Sequence, residues 1–246
     1  MNKRVLVTHQ LPGKRIHELA RYCDVNVWMG PGLLPAGGLR EELAGCQGLI
    51  CLLTDRVHGA LIASMPELEF VSSMSVGVDH IDVAALTARS IPLGHTPGVL
   101  VETTADTAFA LLLAAARRLG EADRFVRQGN WSPVNAWSPD FFTGKDVGGA
   151  TLGSIGLGAI GQAVARRAAG FGMRVLGWNR TEREVPGVEN VSLEVLLLRS
   201  DFVSVHVART DLTRYLLDEE RIAARKPGAV LVYTARGCIV DELAFH

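Results

Sequence analysis

The chain has 246 residues, 48% of them hydrophobic and 21% charged, with a formal net charge of −1 at neutral pH. That composition is globular, with apolar material enough for two ordinary domains, and so small a net charge argues against a nucleic acid or an anionic membrane surface as partner. The longest apolar run, AFALLLAAA at residues 108–116, is far short of the roughly 20 residues that span a bilayer, so a small ligand is expected.

The opening MNKRVLVTHQ carries two basic residues but no sustained apolar stretch and no small-residue cleavage site, which predicts a cytoplasmic location. Cys23, Cys46, Cys51 and Cys238 form no CxxC pair and read as reduced core thiols, not as disulfide partners or metal ligands. Short β-rich runs at residues 3–9, 25–28 (VNVW) and 48–53 (GLICLL) alternate with helix-like stretches such as LREELAG at 39–45. This is a βα rhythm. ELEFVSSMSV at 67–76 predicts a further strand, and Asp82 the N-cap of a short helix. A first parallel α/β domain is therefore expected over residues 1–98, closed by the Pro97-Gly98 break.

The second domain is expected over residues 99–246. Thr103 with Asp106 reads as a capping box opening a helix that runs to Leu119. Ala105, Ala108, Leu112, Ala115 and Leu119 form one apolar face, with Phe109, Leu113 and Ala116 on another, so the helix is expected to be buried over most of its circumference. Residues 120–149 look irregular yet hold Trp131, Trp137, Phe141 and Phe142. They are too apolar for a linker and read as an arm packing on another subunit, the alternative being a loop folded on its own domain. Then come TLGSI (151–155), RVLGW (174–178), FVSVHV (202–207) and AVLVYTA (229–235), runs of the kind parallel strands buried on both faces produce. LDEERIAARKPG at 217–228 places acids early, bases late and Pro227-Gly228 at its end, as a helix would.

The segment GSIGLGAIG holds GxGxxG as Gly156, Gly158 and Gly161, after a strand and before the helix-like AIGQAVARRAA. In that setting the first glycine permits a tight turn and the second lets backbone approach a pyrophosphate. The third seats the helix close to the strand, and the helix N-terminus offers free N–H groups. Ala159 and Ile160 sit within the loop. A dinucleotide is expected. Where NAD-binding domains place an acid at the end of the second strand, this chain reads GWNRTERE, with Asn179 followed by Arg180, Thr181 and Arg183. Cations and a hydroxyl there favour NADP(H) over NAD(H). The alternative is a solvated basic turn neutralised by Glu182 and Glu184.

SVGVDHID at 75–82, HTPGVLVETTADTAFALLLAAARRL at 95–119, the glycine loop and TARG at 234–237 stand in order. With them the chain resembles the D-2-hydroxyacid dehydrogenases. AGCQGLICLLTDRV at 44–57 and NAWSP at 135–139 bring it nearest to the glyoxylate/hydroxypyruvate reductase branch. The resemblance implies a flavodoxin-like substrate domain and a Rossmann-type doubly wound cofactor domain, with the active site in the cleft between them, and a homodimer. It implies that Val76 and Gly77 offer backbone N–H groups to a substrate carboxylate, that Leu53 lines the pocket, and that Trp137 reaches a neighbouring subunit's site. Ala159, Ile160, Ala208 and Thr234 would touch the cofactor, although Ala208-Arg209 and Tyr233 depart from the family's usual Pro-Leu and Asn. Arg236 would hold the carboxylate and carbonyl oxygen of a 2-oxo acid while hydride arrives from the nicotinamide, unless it merely pairs with a nearby carboxylate.

In the family the proton comes from a glutamate-supported histidine tens of residues past the arginine. His246 follows Arg236 too closely for that role, and His206 reads as a hydrogen-bonded structural residue, as do His80 and His95 unless they lie on the surface. A cofactor-domain sheet ending after its fifth strand is therefore expected. A chain that binds dinucleotide or a partner subunit without turnover is the alternative to an active reductase.

Overall fold

Strands of four or five residues alternating with short helices leave parallel pairing as the economical arrangement, because each helix carries the chain back along the sheet. The computed structural model describes the whole chain apart from residues 1, 31, 33, 35–37, 135–137 and 246. It divides into two compact units, Met1–Val99 and Leu100–His246.

The first unit contains β1 (Arg4–Val7), α1 (Arg15–Leu19), β2 (Asp24–Val27), α2 (Gly38–Glu42), β3 (Gly48–Cys51), α3 (Gly59–Ala63), β4 (Phe70–Ser73), α4 (Val83–Ala88) and β5 (Leu93–Gly94). Its five strands are parallel in the order β2-β1-β3-β4-β5, the flavodoxin-like arrangement. Leu6, Leu49, Ile62 and Leu86 are fully buried in its core, each such side chain contributing roughly 1.5–3 kcal/mol. Asp82 caps α4 by accepting from the Ala85 N–H at 2.9 Å, as its residue type predicts.

The second unit contains α5 (Val101–Ala116), α6 (Leu119–Arg127), β6 (Thr151–Ile155), α7 (Ala159–Gly170), β7 (Arg174–Trp178), β8 (Val188–Asn190), α8 (Leu193–Arg199), β9 (Phe202–Val205), α9 (Glu219–Ala223) and β10 (Val230–Tyr233). The order is β10-β9-β6-β7-β8, all parallel. In the unit's own strand numbering, with β6 as strand 1, the winding starts at β6 and runs outward on both sides, as in Rossmann-type sheets. Alternate residues serve opposite faces. Leu152, Val175 and Phe202 pack with α5 and α7, whereas Ile155, Leu176 and Val203 pack with α8. All four residues of β9 are buried.

Three expectations about α5 and its sequel are corrected. The helix begins at Val101, capped by Leu100 without a side-chain bond, so Thr103 and Asp106 are interior residues and form no capping box. Asp106 pairs instead with Arg167 of α7, which also binds Glu102. Burial follows one stripe of Ala105, Ala108, Phe109, Leu112 and Ala116, while Ala115 and Leu119 face solvent, because α5 packs on α7 and β10 from one side only. The helix stops at Ala116, Arg118 takes a left-handed conformation with φ 54°, and a new helix, α6, runs through residues expected to be irregular. Phe125 of α6 stacks edge-on with Phe141 and Phe142 of the segment beyond it, which meet each other in the same way. Trp131 touches Phe141 yet stays exposed.

Candidate functional site

In a parallel doubly wound sheet every strand ends at the same edge, and the crevice lies where the winding reverses. In the second unit that point falls between β6 and β9. The Gly156 N–H donates to Trp178 O at 2.8 Å and the His206 N–H to Ile155 O at 2.7 Å, tying the exits of β6, β7 and β9 together. Gly156 takes φ +100°, and a Cβ there would lie 2.8 Å from the His206 carbonyl carbon. A Cβ on Gly161 would collide with Gly156 O, so the helix can approach the strand only without one.

Gly158 differs. It is the N-cap of α7, its φ of −68° suits any residue, and nothing lies within 4 Å of where its Cβ would be. No side chain caps this helix. An uncapped 12-residue helix therefore presents its first N–H groups and the positive end of its dipole to open space. That cradle fits a pyrophosphate. A second sign of fit is Thr234, just past β10, whose buried Oγ1 has no hydrogen-bond partner among the described residues.

At the exit of β7, Asn179 Oδ1 accepts from the Leu157 N–H at 3.2 Å and its Nδ2 donates to Thr181 O at 2.6 Å. Asn179 thus braces the glycine loop and does not point an acid at it. Arg183 donates to Leu157 O at 3.2 Å. Arg180 lines an open cavity of about 360 Å³ with Asn179, Glu182, Asn190 and Ser192. Among the described residues, neither Glu182 nor Glu184 forms an ion pair with Arg180 or Arg183. The cation and one carboxylate, Glu182, therefore line the same cavity.

On the β9 side, Ala208 is exposed, its carbonyl accepting from Thr213 Oγ1 at 2.7 Å. His206 Nε2 meets Ser204 Oγ at 2.8 Å, and burial drives its imidazole down to about 4. It is neutral at pH 7 and a poor proton donor. Arg236 is half-buried in the turn after β10, and burial raises the phenol of Tyr233 nearby in the chain.

The first unit gathers its own polar groups at the strand exits. Leu53 and Val76 are exposed. Beneath Leu53, the buried Asp55 carboxylate accepts from Thr8 Oγ1 at 2.6 Å and from the Leu52 N–H at 2.7 Å, fixing the loop after β3. Beneath Val76 and Gly77 lie two buried hydroxyls, Ser73 and Ser75, with His80. Cys51 is close by, its thiol pushed up to about 12 by burial. All four cysteines are free thiols.

The structure thus brings Gly156, Gly158, Ala159, Ile160, Gly161, Arg180, Thr181, Arg183, Ala208, Thr234 and Arg236 to one sheet edge of the second unit. Leu53, Val76 and Gly77 stand at one edge of the first. Trp137 lies outside the described residues. Sequence reasoning missed Thr8, Asp55, Ser73 and Ser75. The available signal was a run of hydroxyls, SSMS, where a buried strand should continue apolar.

The family model for the D-isomer specific 2-hydroxyacid dehydrogenase NAD binding domain matches residues 109–246. The chain is 44% identical over 250 residues to a glyoxylate reductase of Korarchaeum cryptofilum, covering 100% of this chain and 75% of that relative. The crystal structure of the TT0316 protein from Thermus thermophilus superposes with a TM-score of 0.92 at 45% identity, covering 98% of this chain and 76% of that one. An acyclic imino acid reductase, Bsp5, solved with NADPH and D-Arg, gives a TM-score of 0.88 at 28% identity, with 98% and 77% covered.

Proposed function

This chain belongs to the D-isomer specific 2-hydroxyacid dehydrogenases, and on that premise we propose that it is a cytoplasmic reductase of glyoxylate and hydroxypyruvate that prefers NADPH to NADH. The observation that carries the cofactor half is the uncapped α7 beside a β7 exit where Asn179 and Arg180 stand in place of an acid. A carboxylate at that exit would repel a 2′-phosphate, whereas Arg180 attracts it. A solved neighbour of the same fold holds NADPH, so the fold admits the phosphorylated nucleotide. The substrate half rests on the curated relatives, which are glyoxylate reductases.

In this reading Gly156, Gly158, Ala159, Ile160 and Gly161 seat the pyrophosphate, Arg180, Thr181 and Arg183 hold the adenosine-side phosphate, and Ala208 and Thr234 flank the rest. The reduced nicotinamide, when bound, supplies the hydride that the carbonyl carbon accepts. Val76 and Gly77 hold the substrate carboxylate through backbone N–H groups, and Leu53 walls the pocket. The Arg236 guanidinium spans carboxylate and carbonyl oxygen and stabilises the negative charge that develops on the latter. The proton is not assigned to His206, whose imidazole is neutral at pH 7. A homodimer is supported by the exposed Val126, Trp131 and Val134 on and after α6; a one-chain mass by sedimentation would remove it.

Calorimetric titration with each reduced nucleotide tests the proposal. Arg180→Asp should weaken NADPH binding by about ten- to a hundredfold, the worth of a charge-assisted hydrogen bond, and NADH binding hardly at all. Equal losses for both would refute the NADPH preference. Failure of the unaltered chain to bind either nucleotide would refute the enzyme class.

A further inference from the structure

The loop assigned to the substrate carboxylate has no freedom in its carbonyls. Ser75 O accepts from the Thr96 N–H at 2.9 Å, Val76 O from His95 Nδ1 at 3.1 Å, and Gly77 O from Ser75 Oγ at 2.7 Å. In a planar trans peptide the N–H points opposite to the carbonyl of the preceding residue. Tying Ser75 O and Val76 O therefore aims the N–H groups of Val76 and Gly77, and tying Gly77 O closes the turn. Among the described residues neither of those two N–H groups has a backbone acceptor.

The direction of each bond follows from proton counting. A carbonyl only accepts, so His95 carries its proton on Nδ1 and Ser75 spends its single hydroxyl proton on Gly77 O. Ser75 Oγ must then accept from Ser73 Oγ, 2.7 Å away. Ser73, its own proton spent, must accept from His80 Nε2 at 3.0 Å. The result is a one-way chain from His80 through Ser73 and Ser75 to Gly77 O, with both serines buried.

We propose that His95 and the His80–Ser73–Ser75 chain are positioning residues that aim the Val76 and Gly77 N–H groups at the carboxylate of a 2-oxo acid, with His80 held as the Nε2–H tautomer. The proposal rests on the substrate reading given above. It is tested with the full chain, saturated with NADPH, titrated with oxamate as an unreactive 2-oxo acid. Ser75→Ala and His95→Ala should each raise the oxamate Kd about tenfold, the scale of one lost hydrogen bond. His95→Asn, which returns an N–H near the Nδ1 position, should restore most of the affinity. The NADPH Kd should stay put in all three and the melting temperature in both His95 variants, whereas Ser75→Ala, which leaves the buried Ser73 hydroxyl without its acceptor, should also melt lower. Unchanged oxamate affinity in both alanine variants would overturn the proposal, as would parallel losses in NADPH affinity and melting temperature, the signature of a merely structural role. Nitrogen NMR of His80 in the ligand-free protein is the second arm. A proton on Nδ1 with bare Nε2 sinks the chain of donors whatever binds. Nε2–H together with an unaltered protein blind to oxamate would refute the substrate reading and the aiming role, leaving only the bond directions.

Discussion

Adding one methyl group should disturb folding at Gly161 and leave it untouched at Gly158. At Gly161 the new Cβ collides with Gly156 O, whereas at Gly158 it meets nothing within 4 Å. Gly161→Ala should lower the melting temperature and weaken nucleotide binding together, since α7 must be pushed off β6. Gly158→Ala should leave melting unchanged while reducing NADPH affinity at least tenfold, because the methyl occupies the space through which a pyrophosphate approaches. Thermal melts beside calorimetry separate the two, and a Gly158→Ala protein with full affinity would remove the phosphate cradle from the account. These glycines are legible in the sequence because the loop's requirement is local: three positions, each needing a missing side chain. Asp55 is not. Its partner Thr8 stands at the exit of another strand, which only the completed sheet brings near, whereas Ser73, Ser75, Gly77 and His80 bond within one loop whose only sequence signal is the hydroxyl run SSMS.

The helices tell a similar story about range. Strands β6 and β7 are legible to the residue, since a strand buried on both faces is a short run of apolar and small residues without polar alternation. The start of α5 is not, because Thr103 and Asp106 have the spacing of a cap while their surroundings are decided by α7. Glu102 and Asp106 meet Arg166 and Arg167 across the two helices. Arg167 is the more enclosed of the two bases, with a side chain 23% exposed against 63% for Arg166. It bridges both acids and also donates to Ala163 O. Urea unfolding should show Arg167→Ala costing about 1 kcal/mol and Arg166→Ala about 0.3 kcal/mol or less, both shrinking in high salt. Equal costs would mean that the bridging geometry contributes nothing. Helix α6 escapes a sequence reading for a related reason. It is amphipathic but short and buries none of its residues, and its few apolar positions, Leu119, Ala122, Phe125 and Val126, are too sparse to announce a helix in the sequence.

At the scale of the whole molecule, two doubly wound parallel units are foreseeable from the βα rhythm and the glycine loop. The pH response is foreseeable only in part, because His206 shows its burial in the fold and not in its neighbours. Its imidazole, at 6.5 when unfolded, falls to about 4 in the native protein. The unfolded chain therefore takes up the proton first. Stability should be intact above pH 6.5 and fall by roughly 3 kcal/mol between pH 6.5 and 4. Denaturant titrations across that window should lose much of this slope in His206→Asn, and an unchanged slope would assign it elsewhere. Finally, the bare amino end of α7 makes the native state's free energy depend on what the solution offers it. A dinucleotide present at a hundred times its dissociation constant deepens the native well by roughly 2.7 kcal/mol. Resistance to heat and to proteases thereby becomes a gauge of coenzyme supply, and a protein starved of its redox carrier would be cleared sooner than one kept loaded.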